Sequence, residues 1–137
     1  MPSIAIDAGP LIALFNRGDK HHTRALDFFA ATKDKLVTNM AVVTETVHLL
    51  DFSRGAVGDF LSWIGASIEF DMNTHTDLPR IAAILDKYVD LPADFADASL
   101  VAMGERLGIE NVATLDRDFD VYRLANGRAL GNLLLGP

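Results

Sequence analysis

With 137 residues, 50% of them hydrophobic and 23% charged, the chain has material for one compact domain with a real core and no second one. It contains no cysteine, which excludes disulfides, thiolate metal sites and cysteine nucleophiles and makes the reducing cytosol the default compartment. A formal net charge of −7 argues against a protein that holds nucleic acid through a broad basic surface. There is no internal repeat, the opening MPSIAIDAG is too short and too soon acidic for a signal peptide, and no apolar run reaches membrane-spanning length, so a soluble, cytoplasmic protein is expected.

Ser3 to Ile6 is a short apolar run that stops at Asp7, and Ala8, Gly9 and Pro10 follow, the last suited to the first turn of a helix. Taken alone, Asp7 could be a plain cap for a helix over Leu11 to Phe15. A polar break at Asn16 to Asp19 precedes a helix from about Lys20 to Lys33, with Ala25, Leu26, Phe28 and Phe29 as its apolar stripe. His21 and His22 adjoin Lys20 and Arg24 on a solvated face and are not read as metal ligands. Leu36 to Thr38 is a short strand, and Asn39 caps a helix from about Met40 to Phe52.

On that helix Val43, Val47 and Leu50 form one apolar line and Val42, Leu49 and Phe52 the next, with Glu45 in the vacant place of the second line. A glutamate among apolar neighbours is costly to bury unless something pairs with it. An arginine salt bridge is one answer and a metal or water contact the other; the second is preferred because Glu45 joins other acids. His48 and His75 are read as surface. Gly55 to Ile64 is a further helix, with Val57, Phe60, Leu61 and Ile64 inward and Trp63 on its flank, and Ser67 to Phe70 a strand. Asp71 at its end is assigned to ordinary turn and capping chemistry, given the following Asn73, Thr74 and Thr76. Leu78 to Tyr88 is amphipathic, with Ile81, Ile84 and Leu85 buried.

The stretch LPADFADASLVAMGERLGIENVATLDRDF carries acids where a folded chain ordinarily avoids them. Pro92 and Asp94 open a helix that Gly108 stops. Asp94 and Asp97, three apart, share one side of the first turn, where the helix dipole favours negative charge. Asp94 reads as the cap; Asp97 lies inside the helix, where no cap is needed, and is assigned to function. Asn111 to Leu115 is a buried parallel strand ending in Asp116, so the pattern at Asp7 recurs. Ligands of open α/β sheets bind at the carboxyl ends of strands. A turn or short helix spans Arg117 to Arg123, and Ala129 to Leu135 is an edge strand. The alternation of strands with helix pairs argues for an α/β protein with a parallel sheet, helices on both faces and right-handed crossovers.

Asp7, Glu45, Asp97 and Asp116 are thus expected at one edge of the sheet. Brought together, such groups cannot all stay ionised, since like charges raise one another's pKa, and a hard divalent cation removes the conflict. Oxygen-only ligands point to Mg²⁺, with Mn²⁺ as a substitute, rather than zinc. The natural chemistry is phosphodiester hydrolysis by a metal-activated water.

IDAGPLIALFNRGDKHHTRALDFF, VVTETVHLL and DASLVAMGERLGIENVATLDRDFDVYR together resemble the PIN-domain ribonucleases, and more closely the VapC-type toxins of toxin–antitoxin pairs. The resemblance covers nearly the whole length. It implies a PIN-like three-layer fold around a mostly parallel twisted sheet of four to five strands, and an endoribonuclease whose Mg²⁺ site is Asp7, Glu45, Asp97 and Asp116. Asp94 and Asp118 have looser equivalents, and Thr114 could hydrogen-bond an acid from below. The resemblance also implies a homodimer restrained by a small antitoxin protein, with RNA as substrate. Arg17, Arg54, Arg117 and Arg123 are the cations best situated to hold that RNA.

Two rivals have weaker support. Another Mg²⁺-dependent phosphohydrolase with a strand-end nucleophile wants a second acid two residues after Asp7, where Gly9 stands, and a phospho-receiver domain wants a lysine where Arg117 follows Asp116. A non-catalytic PIN-like RNA- or protein-binding module would be marked by missing acids, and all four are present.

Overall fold

The computed structural model describes residues 2–91 and 93–136, so Pro92, expected to open a helix, lies outside the described residues. Strands β1 (Ser3–Ile6), β2 (Lys35–Thr38), β3 (Glu69–Phe70), β4 (Asn111–Ala113) and β5 (Gly131–Asn132) form one sheet in the order β3-β2-β1-β4-β5. Every pairing is parallel, with Ile4 opposite Leu36 and Ala5 opposite Val112 fixing the central register. Ile4, Ala5 and Ile6 are all buried, as expected of a strand covered on both faces.

Helices α1 (Ala8–Phe15) and α2 (His22–Ala31) connect β1 to β2, α3 (Met40–Leu49) and α4 (Arg54–Ser67) connect β2 to β3, and α5 (Leu78–Lys87) and α6 (Phe95–Leu107) connect β3 to β4. The first two connections step outward from β1 in one direction, and the third returns past β1 to its other side. With right-handed crossovers, that reversal puts α1 to α4 on one face and α5 and α6 on the other, completing three layers. It also opens a crevice beyond the carboxyl ends of β1 and β4, where the strand order reverses.

Local chemistry sets the helix ends. Asn39 accepts from the Val42 N–H at 3.1 Å and Ser53 from Ala56 at 3.2 Å, capping α3 and α4. Gly108, at φ 69°, supplies the left-handed residue that ends α6. Phe15, Phe60, Phe29 and Trp63 pack edge to face at 5.2–5.7 Å and lock α1, α2 and α4 into one layer.

The structure departs from the sequence reading at several boundaries. Helix α3 ends at Leu49, and Leu49 and Phe52 are 48% and 66% exposed, so of the second apolar line only Val42 is buried. Leu26 and Leu61, expected inward, are likewise exposed. Ser67 finishes α4 and leaves β3 only two residues. The expected edge strand shrinks to Gly131–Asn132 because the Asn132 side chain accepts from Leu134 and Leu135 N–H, both at 3.1 Å, and turns the chain away.

Asp71 needs the largest correction. Instead of capping a turn it is buried together with Asp77, and Arg106 from the last turn of α6 forks onto both. The Arg106 guanidinium reaches Asp71 Oδ1 at 3.2 Å and both Asp77 oxygens at 2.9 Å. Breaking a buried pair leaves its partner's charge uncompensated. Arg106→Ala is therefore expected to lower unfolding stability by about 3 kcal/mol, read as a drop in the urea midpoint at unchanged slope; an unchanged midpoint would refute the pairing.

Candidate active site

Asp7 follows β1 directly, and its N–H donates to the Ala113 carbonyl at 3.1 Å, so the ends of β1 and β4 are stitched together at this residue. Its carboxylate is buried and does not cap α1. Instead Thr114, fully buried, donates its hydroxyl to Asp7 Oδ2 at 2.7 Å. The same Thr114 oxygen accepts the Asp116 N–H at 3.0 Å, so one hydroxyl fixes both acids.

Asp116 lies three residues beyond the end of β4, not at the strand end as expected, and heads the short 3-10 turn Arg117–Asp120. Its Oδ1 accepts from the Asp118 N–H at 2.8 Å. Gly9 matters here: a Cβ on it would stand 3.3 Å from the Leu115 Cβ, so glycine allows α1 to approach the turn that carries Asp116.

The remaining acids arrive on helices. Asp94 caps α6 by accepting from the Asp97 N–H at 2.8 Å, as its position in the sequence suggests, and Asp97 lies buried in the first turn. Helix α3, carrying Glu45, is tied to α6 through a buried bond from Asn39 Nδ2 to Ser99 Oγ at 3.0 Å. Thr38 ties β2 to β1 by donating to the Ile6 carbonyl at 2.9 Å. Tyr122, buried behind α6, offers its hydroxyl to Asp97 Oδ2 at 3.4 Å.

Asp7, Glu45, Asp94, Asp97 and Asp116 consequently line a single cleft of about 240 Å³ in which, among the described residues, no lysine, arginine or histidine takes part. Glu45 has no arginine partner among the described residues, and its buried Oε2 makes no hydrogen bond. The acids converge without closing into a cage: among the described residues no group of three or more His, Asp or Glu side chains has metal-ligating geometry. An all-oxygen set around an open cleft suits a hard cation that keeps several waters and takes its remaining ligands from a phosphate.

The crowding shows in the acid–base behaviour. Burial, with the charges of Asp116 and Asp94 adding, lifts Asp7 to about 6 even though Thr114 works against it. Burial and neighbouring Asp94 and Asp7 lift Glu45 to about 7, and burial with Asp7 and Asp94 lifts Asp97 to about 8. Burial and Asp116 also raise Asp118.

The cations expected to hold RNA lie outside this cleft. Arg117 spends its guanidinium on Asp120 and on the Leu135 and Gly136 carbonyls, and Arg123 on the carbonyls of Asp120, Val121 and Tyr122. Arg17 and Arg54 are exposed. Sequence reasoning missed Asn39 as a bridge between helices, Ser99, and the bond from Tyr122 to Asp97. A serine amid the unbroken apolar run of α6 was the signal available for Ser99, since a buried hydroxyl needs a partner.

A family model for the PIN domain matches residues 4–124. The chain belongs to the PIN-domain family. Ribonuclease VapC26 of Mycobacterium tuberculosis is 26% identical to this PIN domain over 115 residues, which span 82% of this chain and 85% of the relative. The crystal structure of Mycobacterium tuberculosis VapC20, described as a Sarcin-Ricin loop cleaving toxin, superposes with a TM-score of 0.75 at 22% identity over 86% of this chain and 93% of that one. The PIN fold, a parallel sheet with helices on both faces, is common to the two structures.

Because the folded, metal-free PIN domain holds protons on Asp7, Glu45 and Asp97 at pH values where the unfolded chain has released them, its stability is full below about pH 4 for these groups and is lost as pH rises through about 6 to 8. In chelator the urea midpoint is expected to fall from pH 5 to pH 8. Asp97→Asn should flatten that slope and gain about 1 kcal/mol at pH 8; a variant less stable than the parent at pH 8 would contradict the crowding.

Proposed function

We propose that this chain is a single PIN-like domain acting as a divalent-metal-dependent endoribonuclease, the toxin of a type II toxin–antitoxin pair. The observation that carries this reading is the convergence of Asp7, Glu45, Asp97 and Asp116 on one cation-free cleft at the switch point of the sheet. Its similarity to a protein named a ribonuclease supports the same conclusion.

Asp7, Glu45, Asp97 and Asp116 would hold Mg²⁺, for which Mn²⁺ could substitute, and Asp94 and Asp118 would support them. When bound, the ion supplies positive charge that activates water and offsets the charge growing on the phosphate oxygens. Thr114 keeps Asp7 and Asp116 in fixed orientation, so little reorganisation is needed when substrate enters. Once ionised, Glu45, whose buried Oε2 accepts no hydrogen bond among the described residues, would take up the proton that the attacking water gives up. The acids repel a phosphodiester until a cation arrives, so substrate binding and catalysis both depend on the ion.

The substrate is a short structured RNA gripped locally, since the chain carries a net charge of −7 and offers no broad basic surface. Of the four arginines expected to hold it, Arg17 and Arg54, exposed and unpaired among the described residues, remain free to meet its backbone. A small antitoxin restrains the enzyme, which acts as a homodimer in the cytoplasm. No helix of the described residues is long and apolar enough to cross a membrane.

The test is cleavage of transfer and ribosomal RNA by the purified protein, with products sequenced at their ends. Cutting is expected with Mg²⁺ or Mn²⁺, to stop in chelator, and to fall at least about a thousand-fold in Asp7→Asn, a loss on the scale of removing an electrostatic anchor of the transition state. Full activity in chelator or in that variant would refute the assignment.

A further inference from the structure

Beside the acid cleft lies a second, larger groove of about 500 Å³, walled by Ala41, Thr44 and His48 of α3 and by Phe95 of α6. The two share Glu45 and Asp94 as a common border, so the groove adjoins the space over the acids. Phe95, the first residue of α6, is 44% exposed there, and a bulky aromatic ring facing solvent next to a cluster of carboxylates has no role in the core.

We propose that this groove seats the nucleobase adjoining the scissile phosphate, stacked on Phe95. The inference rests on the ribonuclease reading of the acid cleft and adds a specificity subsite to it. Charge decides which part of a nucleotide enters: the shared border is made by the carboxylic acids Glu45 and Asp94 and the groove is lined by no lysine or arginine of the described residues, so a phosphate is disfavoured while a neutral, flat ring is accepted. An aromatic platform serves any base through its π face, and such stacking is the usual way a protein holds an unpaired nucleotide. His48 is exposed on the opposite wall with both ring nitrogens available to a base edge. Thr44 donates to the Met40 carbonyl at 2.8 Å and keeps its lone pairs free to accept from an exocyclic amino group. A protein side chain could fill the same walls, but a nucleotide strand necessarily delivers a ring beside each phosphate it presents to the acids.

The experiment uses the full-length protein with the RNA it cuts, and the same RNA made abasic at each nucleotide flanking the cut. The parent is expected to lose about ten-fold in kcat/KM on one abasic substrate, the order of one lost base stack. Phe95→Ala should lose a similar factor on intact RNA and become indifferent to that abasic site, and Phe95→Trp should retain both the rate and the discrimination. A parent that cuts normally yet ignores every abasic site, or a Phe95→Ala variant that stays sensitive to it, overturns the proposal while leaving the ribonuclease reading intact. Binding is read separately with a short single-stranded RNA bearing 2-aminopurine at each position in turn, in the presence of Mg²⁺. Quenching by the parent that disappears in Phe95→Ala supports stacking even if no cleavage is found, which would count against the ribonuclease reading alone. If neither is seen and the groove instead protects Phe95 only when a protein segment binds, the groove belongs to that segment and the nucleobase assignment falls.

Discussion

Uncompensated negative charge is the constraint on which the rest of this structure depends. Three carboxylates, Asp7, Glu45 and Asp97, are pushed to about 6, 7 and 8 by burial and by one another, and the cleft supplies no positive side chain to relieve them. Left to themselves, such groups would move apart or turn toward water. They are held by neutral hydrogen-bonding groups: the Thr114 hydroxyl shared between Asp7 and Asp116, the Asn39–Ser99 bond that ties α3 to α6, and the Asp94 cap that fixes the first turn carrying Asp97. None of these neutralises charge. They immobilise it, and the resulting conflict is what makes a cation welcome.

This arrangement also separates the protein's two kinds of acid. Asp71 and Asp77 are as deeply buried as Asp97, yet Arg106 compensates both and they serve the fold. The acids of the cleft have no such partner and are available for chemistry. Burial alone therefore does not separate a compensated carboxylate from an uncompensated one; the presence or absence of a guanidinium does.

That distinction explains what could be read from the sequence. Strand-end aspartates such as Asp7, the cap at Asp94 and the stop at Gly108 are local features, set by residues within a few positions, and they were legible. So was the alternation that leads to a parallel sheet. The misreadings come from partners that leave no pattern in the sequence. Asp71 looked like a turn residue because its partner is 35 positions away. Leu49 and Phe52 fell on a helical line but past the point where anything packs on them. Arg117 and Arg123 looked free because backbone carbonyls, which every residue has, leave no trace in a sequence. Asp116 was assigned to a strand end, whereas the turn set by Thr114 carries it two residues beyond Thr114.

Trp63, the one tryptophan of the chain, sits edge-on between Phe15 and Phe29, ring to ring at 5.6 and 5.2 Å. Phe15 is the last residue of the helix that begins immediately after Asp7. The protein thereby carries a built-in optical gauge: its intrinsic emission reports the seating of the very helix that starts at the acid cleft, without any attached dye.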